Sequence, residues 1–276
     1  MDKLRFGTAG IPFSTKDRNT LNGVNRVREL GLDSMELEFV RSVNVTKERA
    51  PEIKKAAMDN NVVLTVHGPY YINLNAKEKP KWHASVNRIL SSARIGHLCG
   101  VWSLCFHSAF YLKMEKEIVY QNVKKSLKVI TDTLKDEGIK MWIRPETAGK
   151  VVQFGNLKEL VRLSKDFENV LPCVDVAHLH AQSNGKVNTT AEFKDTLEFI
   201  EKEIGREALN NMHIHIAGIE YSEKGERNHL NLKDSDFNYK DILKVWKDFK
   251  IKGAVVCETP NIEEDALMIQ KIFKEA

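Results

Sequence analysis

The run Cys173-Val174-Asp175-Val176-Ala177-His178 places a carboxylate at the end of a short apolar stretch and an imidazole three residues later. Both are donors that hold divalent metal ions. The pattern recurs along the chain. Apolar runs end in Val66-His67, in Phe106-His107, in Ile143-Arg144-Pro145-Glu146, in the pair within Met212-His213-Ile214-His215-Ile216, and in Cys257-Glu258. Any one of these histidines, taken alone, is more readily a hydrogen-bonded core residue than a ligand. His67, His107, Glu146, Asp175 and Glu258, each closing a separate run at the same end, make a shared metal site the better reading. The donors suit zinc, manganese or iron. A set this rich in carboxylates can also bridge two ions about 3.5–4 Å apart, as in two-metal phosphoester hydrolysis.

Such convergence needs strands that all present one end to one place, and the chain supplies them. Strand patterns at Leu4–Thr8, Ser34–Val40, Val62–His67, Val101–His107, Lys140–Glu146, Val170–Asp175, Met212–Ala217 and Lys252–Glu258 alternate with helical patterns. The helices are expected over Asp17–Leu30, Lys47–Asn60, Lys79–Cys99, Met114–Asp136, Leu157–Phe167, Ala191–Glu203, Tyr239–Phe249 and Glu263–Glu275. Alternation of this kind implies a parallel sheet. Eight such units imply an α/β fold, a single-domain (β/α)8 TIM barrel over residues 1–276. Active sites of such barrels lie at the C-terminal ends of the strands, where the candidate ligands stand. His178 falls just past one such end, and His213 and His215 share the inward face of the seventh strand.

Side chains alternate between the two faces of a strand. Trp102, Leu104 and Phe106 share a face suited to packing on helices, and Val101, Ser103, Cys105 and His107 share the other. Met35, Leu37 and Phe39 oppose Glu36 and Glu38, Arg144 shares a face with Glu146, and Arg5 opposes Leu4 and Phe6. The interior is therefore expected to be polar and partly ionic, with Glu36 or Glu38 paired to Arg144 or Arg5.

Composition narrows the function classes. Charged residues make up 29% of the 276, with a net charge of +4, which permits an anionic partner without demanding one. No apolar run approaches the ~18 residues of a membrane span, and the N-terminus lacks a signal peptide's apolar segment. The four cysteines, Cys99, Cys105, Cys173 and Cys257, show no CxxC spacing. Three lie in or beside apolar runs, as reduced core thiols of a cytoplasmic protein do.

The chain resembles the endonuclease IV family of apurinic/apyrimidinic endonucleases. The resemblance rests on His67-Gly68-Pro69-Tyr70-Tyr71-Ile72-Asn73-Leu74, Phe106-His107, Glu146-Thr147-Ala148-Gly149, Cys173-Val174-Asp175 with His178, Met212-His213, His229 and Glu258-Thr259-Pro260. It implies a TIM barrel with two or three zinc ions, manganese being an alternative. By it, His67 and His107 would hold one ion and Glu146 would bridge to a second, completed by Asp175, His213 and Glu258. His178 and His229 would hold a third. It further implies hydrolysis of double-stranded DNA on the 5′ side of abasic sites, in base excision repair, by a monomer, with Glu146 and Glu258 central to catalysis.

The sequence departs from the family pattern at three places. The family's Asp-Arg-His reads Glu226-Arg227-Asn228-His229, so Arg227 occupies the position of an aspartate ligand and Glu226 lies one residue off. In the seventh strand His215 takes the place of an asparagine, and either His213 or His215 can ligate, the motif favouring His213. The segment Arg41-Ser42-Val43-Asn44-Val45, where the family inserts into DNA, is short. Tyr70 and Tyr71 fit equally a wedge into a base stack or a cap on the barrel mouth. Lys224 and Arg227 are candidate phosphate contacts in a long loop after the seventh strand, and His180 reads as a supporting or solvated histidine. A divalent-metal sugar isomerase or epimerase on the same barrel is the alternative function. Such an enzyme needs one ion, and the histidines exceed that requirement.

Overall fold

The computed structural model describes all 276 residues. Eight parallel strands form the barrel: β1 Leu4–Ala9, β2 Ser34–Glu38, β3 Val63–His67, β4 Ser103–Phe106, β5 Trp142–Pro145, β6 Cys173–Asp175, β7 Met212–Ile216 and β8 Gly253–Cys257. Each bound lies within three residues of its expected one. Hydrogen-bonded neighbours run β5-β4-β3-β2-β1-β8-β7-β6. Between β5 and β6 the wall continues through isolated parallel bridges, Ile143 to Val170 and Glu146 to Cys173. The protein is a TIM barrel.

The helices cover the outside. Thr20–Glu29, Ala50–Asp59, Lys79–Leu98, Lys116–Asp136, Leu157–Ser164, Thr190–Ile204, Tyr239–Asp248 and Glu263–Glu275 each follow one strand. Local chemistry sets several of their starts. Asn156 and Glu159 form a reciprocal capping box before Leu157–Ser164, as Thr189 and Glu192 do before Thr190–Ile204. Leu37, Leu64, Val66, Leu104, Phe106 and Ile143 are buried with the helices in one apolar cluster. No helix is long and apolar enough to cross a membrane.

The inner face is polar, as the alternation predicts, but its ionic pairing differs from the expectation. Glu36 does not meet Arg5 or Arg144. It lies 3.1 Å from His213 Nε2 and 3.0 Å from His215 Nε2, and accepts from Thr65 Oγ1 at 2.7 Å. Sheet register is the reason for Arg5: Ala9, four residues further on, is the β1 residue opposite Glu36. Arg5 at the barrel's base pairs with Asp2 and Asn61 instead. Arg144 also turns toward the base, donating to Pro172 O and Asn211 O, with its guanidinium 4.9 Å and 5.4 Å from the Trp102 and Trp142 rings. Trp102 thus closes the barrel floor over Arg144, where helix packing was expected. The loop after β7 is also structured: Gly218–Ser222 and Gly225–Leu230 form an antiparallel hairpin, and a short helix, Val176–Gln182, follows β6 directly.

Candidate metal centre

Glu146 follows β5 by one residue and is the centre of the cluster. Its Oε2 lies 3.1 Å from His67 Nε2 and 3.7 Å from His107 Nε2, and its Oε1 lies 3.4 Å from His178 Nδ1 and 3.3 Å from His215 Nδ1. Four strand ends therefore bring an imidazole to one buried carboxylate. Asp175 ends β6 and caps the following helix by accepting from His178 N at 2.7 Å; its Oδ2 lies 3.2 Å from His178 Nδ1. Glu258, just past β8, places Oε1 3.4 Å from His215 Nδ1. The donors form overlapping sets: His107, Glu146 and His178; Asp175, His178 and His229; and Glu146, Asp175, His215 and Glu258.

The atoms without hydrogen-bond partners test whether a cation fits these donors. Buried His107 Nδ1, Asp175 Oδ2 and His229 Nε2 have none, although buried polar atoms are rarely left so. Backbone carbonyls fix two tautomers. Gly68 O lies 2.7 Å from His67 Nδ1, and Thr147 O lies 2.9 Å from His178 Nδ1. A carbonyl accepts the Nδ1 proton and leaves Nε2 as a lone pair. His67 Nε2 lies 3.1 Å from Glu146 Oε2, a spacing that a proton bridges in the metal-free protein and that a bound cation would fill in its place. The residues present fit divalent ions.

Electrostatics point the same way. Burial pulls His67 down, but the hydrogen bond and charge of Glu146, with Glu38 and Glu36, outweigh it and push the ring up to about 10. Burial raises the Glu146 carboxyl, yet His107, His215 and His178 hold it well below the usual carboxylate range. Burial drives His107 down to about 4. Burial, with the like charges of Glu146 and Asp175, holds Glu258 well up. This much negative charge in one buried place attracts a cation.

The two histidines of β7 take different places. His215 reaches the carboxylates. His213 lies one pleat deeper, with Nδ1 3.0 Å from Ser103 Oγ and Nε2 near Glu36. The resemblance favours His213 as a ligand, and the geometry brings His215 to Glu146 and Glu258. They stand two positions apart on the strand, and the one nearer the C-terminal end is the one that opens on the mouth.

The hairpin after β7 accounts for the irregular Glu226-Arg227-Asn228-His229. Residues three apart on a regular strand face opposite sides. Here Tyr221 pairs with Glu226 and Glu220 with Asn228, so Arg227 is an extra, bulged residue. The bulge returns Glu226 and His229 to one face. Glu226 Oε2 lies 3.5 Å from His178 Nε2, and the His229 ring lies 5.6 Å from that of His178. Arg227 points away and pairs with Glu220 at 3.3 Å. The hairpin tip docks on the loop after β5, where Glu226 N donates to Gly149 O at 3.0 Å. A Cβ on Gly149 would lie 2.6 Å from Glu226 Oε2 and 2.8 Å from His178 Cδ2, so glycine is required for this approach.

At the rim, Tyr70 and Tyr71 are 59% and 64% exposed. The Tyr70 ring stands 5.8 Å from that of His67. Lys224 is exposed at the hairpin turn. His180 is neither solvated nor turned to the cluster: it is fully buried, with Nε2 3.0 Å from Asp236 and its ring against Tyr221 and Phe237.

Fold and cluster together define a TIM barrel with buried histidine and carboxylate donors at its mouth. The chain belongs to the xylose isomerase-like TIM barrel family, whose model matches residues 24–275. It is 42% identical to an uncharacterised protein of Methanocaldococcus jannaschii over 99% of this chain and 97% of that one. It is 24% identical to a probable endonuclease 4 of Shouchella clausii over 73% of this chain and 69% of that one. Among solved structures, endonuclease IV of Thermus thermophilus superposes with a TM-score of 0.76 at 18% identity, over 99% of this chain and all of that one. A D-tagatose 3-epimerase-like protein superposes with a TM-score of 0.73 at 18% identity, over 98% and 96%.

Proposed function

We propose that this chain is a zinc-dependent phosphodiesterase that cleaves duplex DNA on the 5′ side of abasic sites. The carrying observation is the crowding of donors around Glu146: His67, His107, His178 and His215 touch one carboxylate, and Asp175, His229 and Glu258 extend the set. A single ion does not use so many. His67 and His107 with Glu146 would hold one ion, Glu146, Asp175, His215 and Glu258 a second, and His178 and His229, with Glu226 beside them, a third. Zinc so held supplies Lewis acidity toward phosphoryl oxygens and a strong nucleophile at neutral pH. The chain's own residues do the rest. Asp175 and the carbonyls of Gly68 and Thr147 orient the histidines. Glu258, whose proton burial and the neighbouring carboxylates hold tightly in the metal-free cluster, would give up that proton on binding an ion at the mouth. Exposed Tyr70 and Tyr71 offer rings to stack against the gap at a missing base, and Lys224 offers charge to the backbone.

The second reading is a one-ion sugar epimerase or isomerase. The group Glu146, Asp175, His215 and Glu258 favours it, because these four donors alone complete one site. The test is incision of a duplex carrying one abasic site, with and without chelator, beside elemental analysis. Chelator-sensitive cutting 5′ to the lesion with two or three zinc ions per chain supports the nuclease. One ion per chain without incision, and turnover of a ketose, supports the epimerase.

A further inference from the structure

Beneath the mouth lies a second set of donors, of different chemistry. Cys105 of β4, Cys173 of β6, and His213 and His215 of β7 each bring a sulfur or nitrogen within 4.8 Å of the others, and all four are buried. The sheet itself aligns them. Cys173 stands opposite His213 across the β6–β7 ladder, and Cys105 Sγ lies 3.6 Å from His215 Nε2. Both cysteines are free thiols. His213 Nδ1 is engaged by Ser103 Oγ at 3.0 Å, while its Nε2 has a Glu36 oxygen 3.1 Å away. The His215 ring faces both ways, with Nδ1 toward Glu146 and Glu258 and Nε2 toward Cys105 and Glu36.

We infer that Cys105, Cys173, His213 and the Nε2 side of His215 bind one further divalent ion of the zinc class, separate from the carboxylate cluster above. Two thiolates and two imidazoles are the donor set of tetrahedral zinc, and their softness disfavours magnesium and calcium. Binding releases the two thiol protons to solvent, and the two thiolate charges then balance the dication. Glu36, held by Thr65 at 2.7 Å, stands beside both rings as an alternative fourth donor when His215 serves the upper cluster. The inference does not depend on the substrate of the upper site.

Cobalt(II) titration of metal-stripped full-length protein tests it. Thiolate ligation gives an intense near-ultraviolet charge-transfer band that histidine and carboxylate ligation does not. The expected result is a band whose intensity at saturation corresponds to one thiolate-ligated cobalt per wild-type chain, beside the ions taken up by the upper cluster. It should survive in His178→Ala, which alters only the upper cluster, and vanish in Cys173→Ser. Elemental analysis should show one ion fewer per chain in Cys173→Ser. Wild-type protein with reduced thiols and no band at saturating cobalt overturns the inference, and so does a band that persists in both Cys105→Ser and Cys173→Ser. A Cys105–Cys173 disulfide in the purified protein overturns it as well. If Cys173→Ser fails to fold by circular dichroism, the wild-type and His178→Ala spectra still decide.

Discussion

Glu146 is buried among four imidazoles, so its charge organises the cluster while its volume does little that glutamine could not do. Glu146→Gln should therefore keep the fold by circular dichroism and lower incision by at least about 10²-fold, the scale on which one electrostatic contact in a dry site is felt. Cleavage at the wild-type rate would remove Glu146 from the centre of the mechanism. The β7 histidines give a sharper contrast. His215→Ala should weaken metal binding at the upper cluster, read by competition with a fluorescent chelator, by more than His213→Ala does, because only His215 reaches Glu146 and Glu258. Gly149→Ala forces a methyl to within 2.6 Å of Glu226 and 2.8 Å of His178. It should reduce metal occupancy at their set while leaving His67 and His107 in place.

Elements explain which of these residues could be read from the sequence. The eight strands and the donors at their ends follow from short apolar runs with alternating faces, because a closed parallel barrel leaves one possible direction for each. The pairing inside the barrel does not follow. Whether Glu36 meets Arg5 or His213 depends on the register between strands distant in sequence, which no local pattern encodes. The hairpin after β7 was hidden for a similar reason. Its polar, charged strands look like a loop, and the only signal was Gly225 at the turn with an unexplained extra residue before His229. The bulge makes its own prediction. Deleting Arg227 restores a regular ladder with Glu226 and His229 two residues apart, still on one face, and should retain metal content. Inserting an alanine after Asn228 turns His229 outward and should lower it. Equal metal content in the two variants would falsify the bulge's role.

At the scale of the whole molecule, the cluster ties stability to pH. His67 is raised from its ordinary 6.5 to about 10, so its contribution is complete below 6.5 and is lost as pH climbs toward 10. His107 is depressed from 6.5 to about 4, so the folded form loses ground as pH falls through that interval, and the depressed Glu146 adds to the loss on the acid side. Chelator-treated protein should melt progressively lower as pH rises from 6.5 toward 10; on the acid side the raised carboxyls of Glu38 and Glu258 oppose the loss from His107. Zinc-loaded protein should instead hold its melting temperature as pH rises from 6.5 toward 8, because ligands that lose protons bind metal more tightly. Melting curves across pH 4 to 10, with and without zinc, check both arms; a metal-free protein that gains stability above pH 7 would contradict the assignment of His67.

The barrel wall is unequal around its circumference. Seven of its junctions are ladders between strands, and the eighth, between β5 and β6, rests on the bridges Ile143–Val170 and Glu146–Cys173. The residue at the upper bridge is Glu146, and across the gap stands Asp175. An ion held by both carboxylates would rivet the seam from inside. The barrel then has a zipper with a metal catch: amides of β5 and β6 should exchange with deuterium ahead of those in β1, β2 and β8 when zinc is stripped, and fall back into step with them once it is restored.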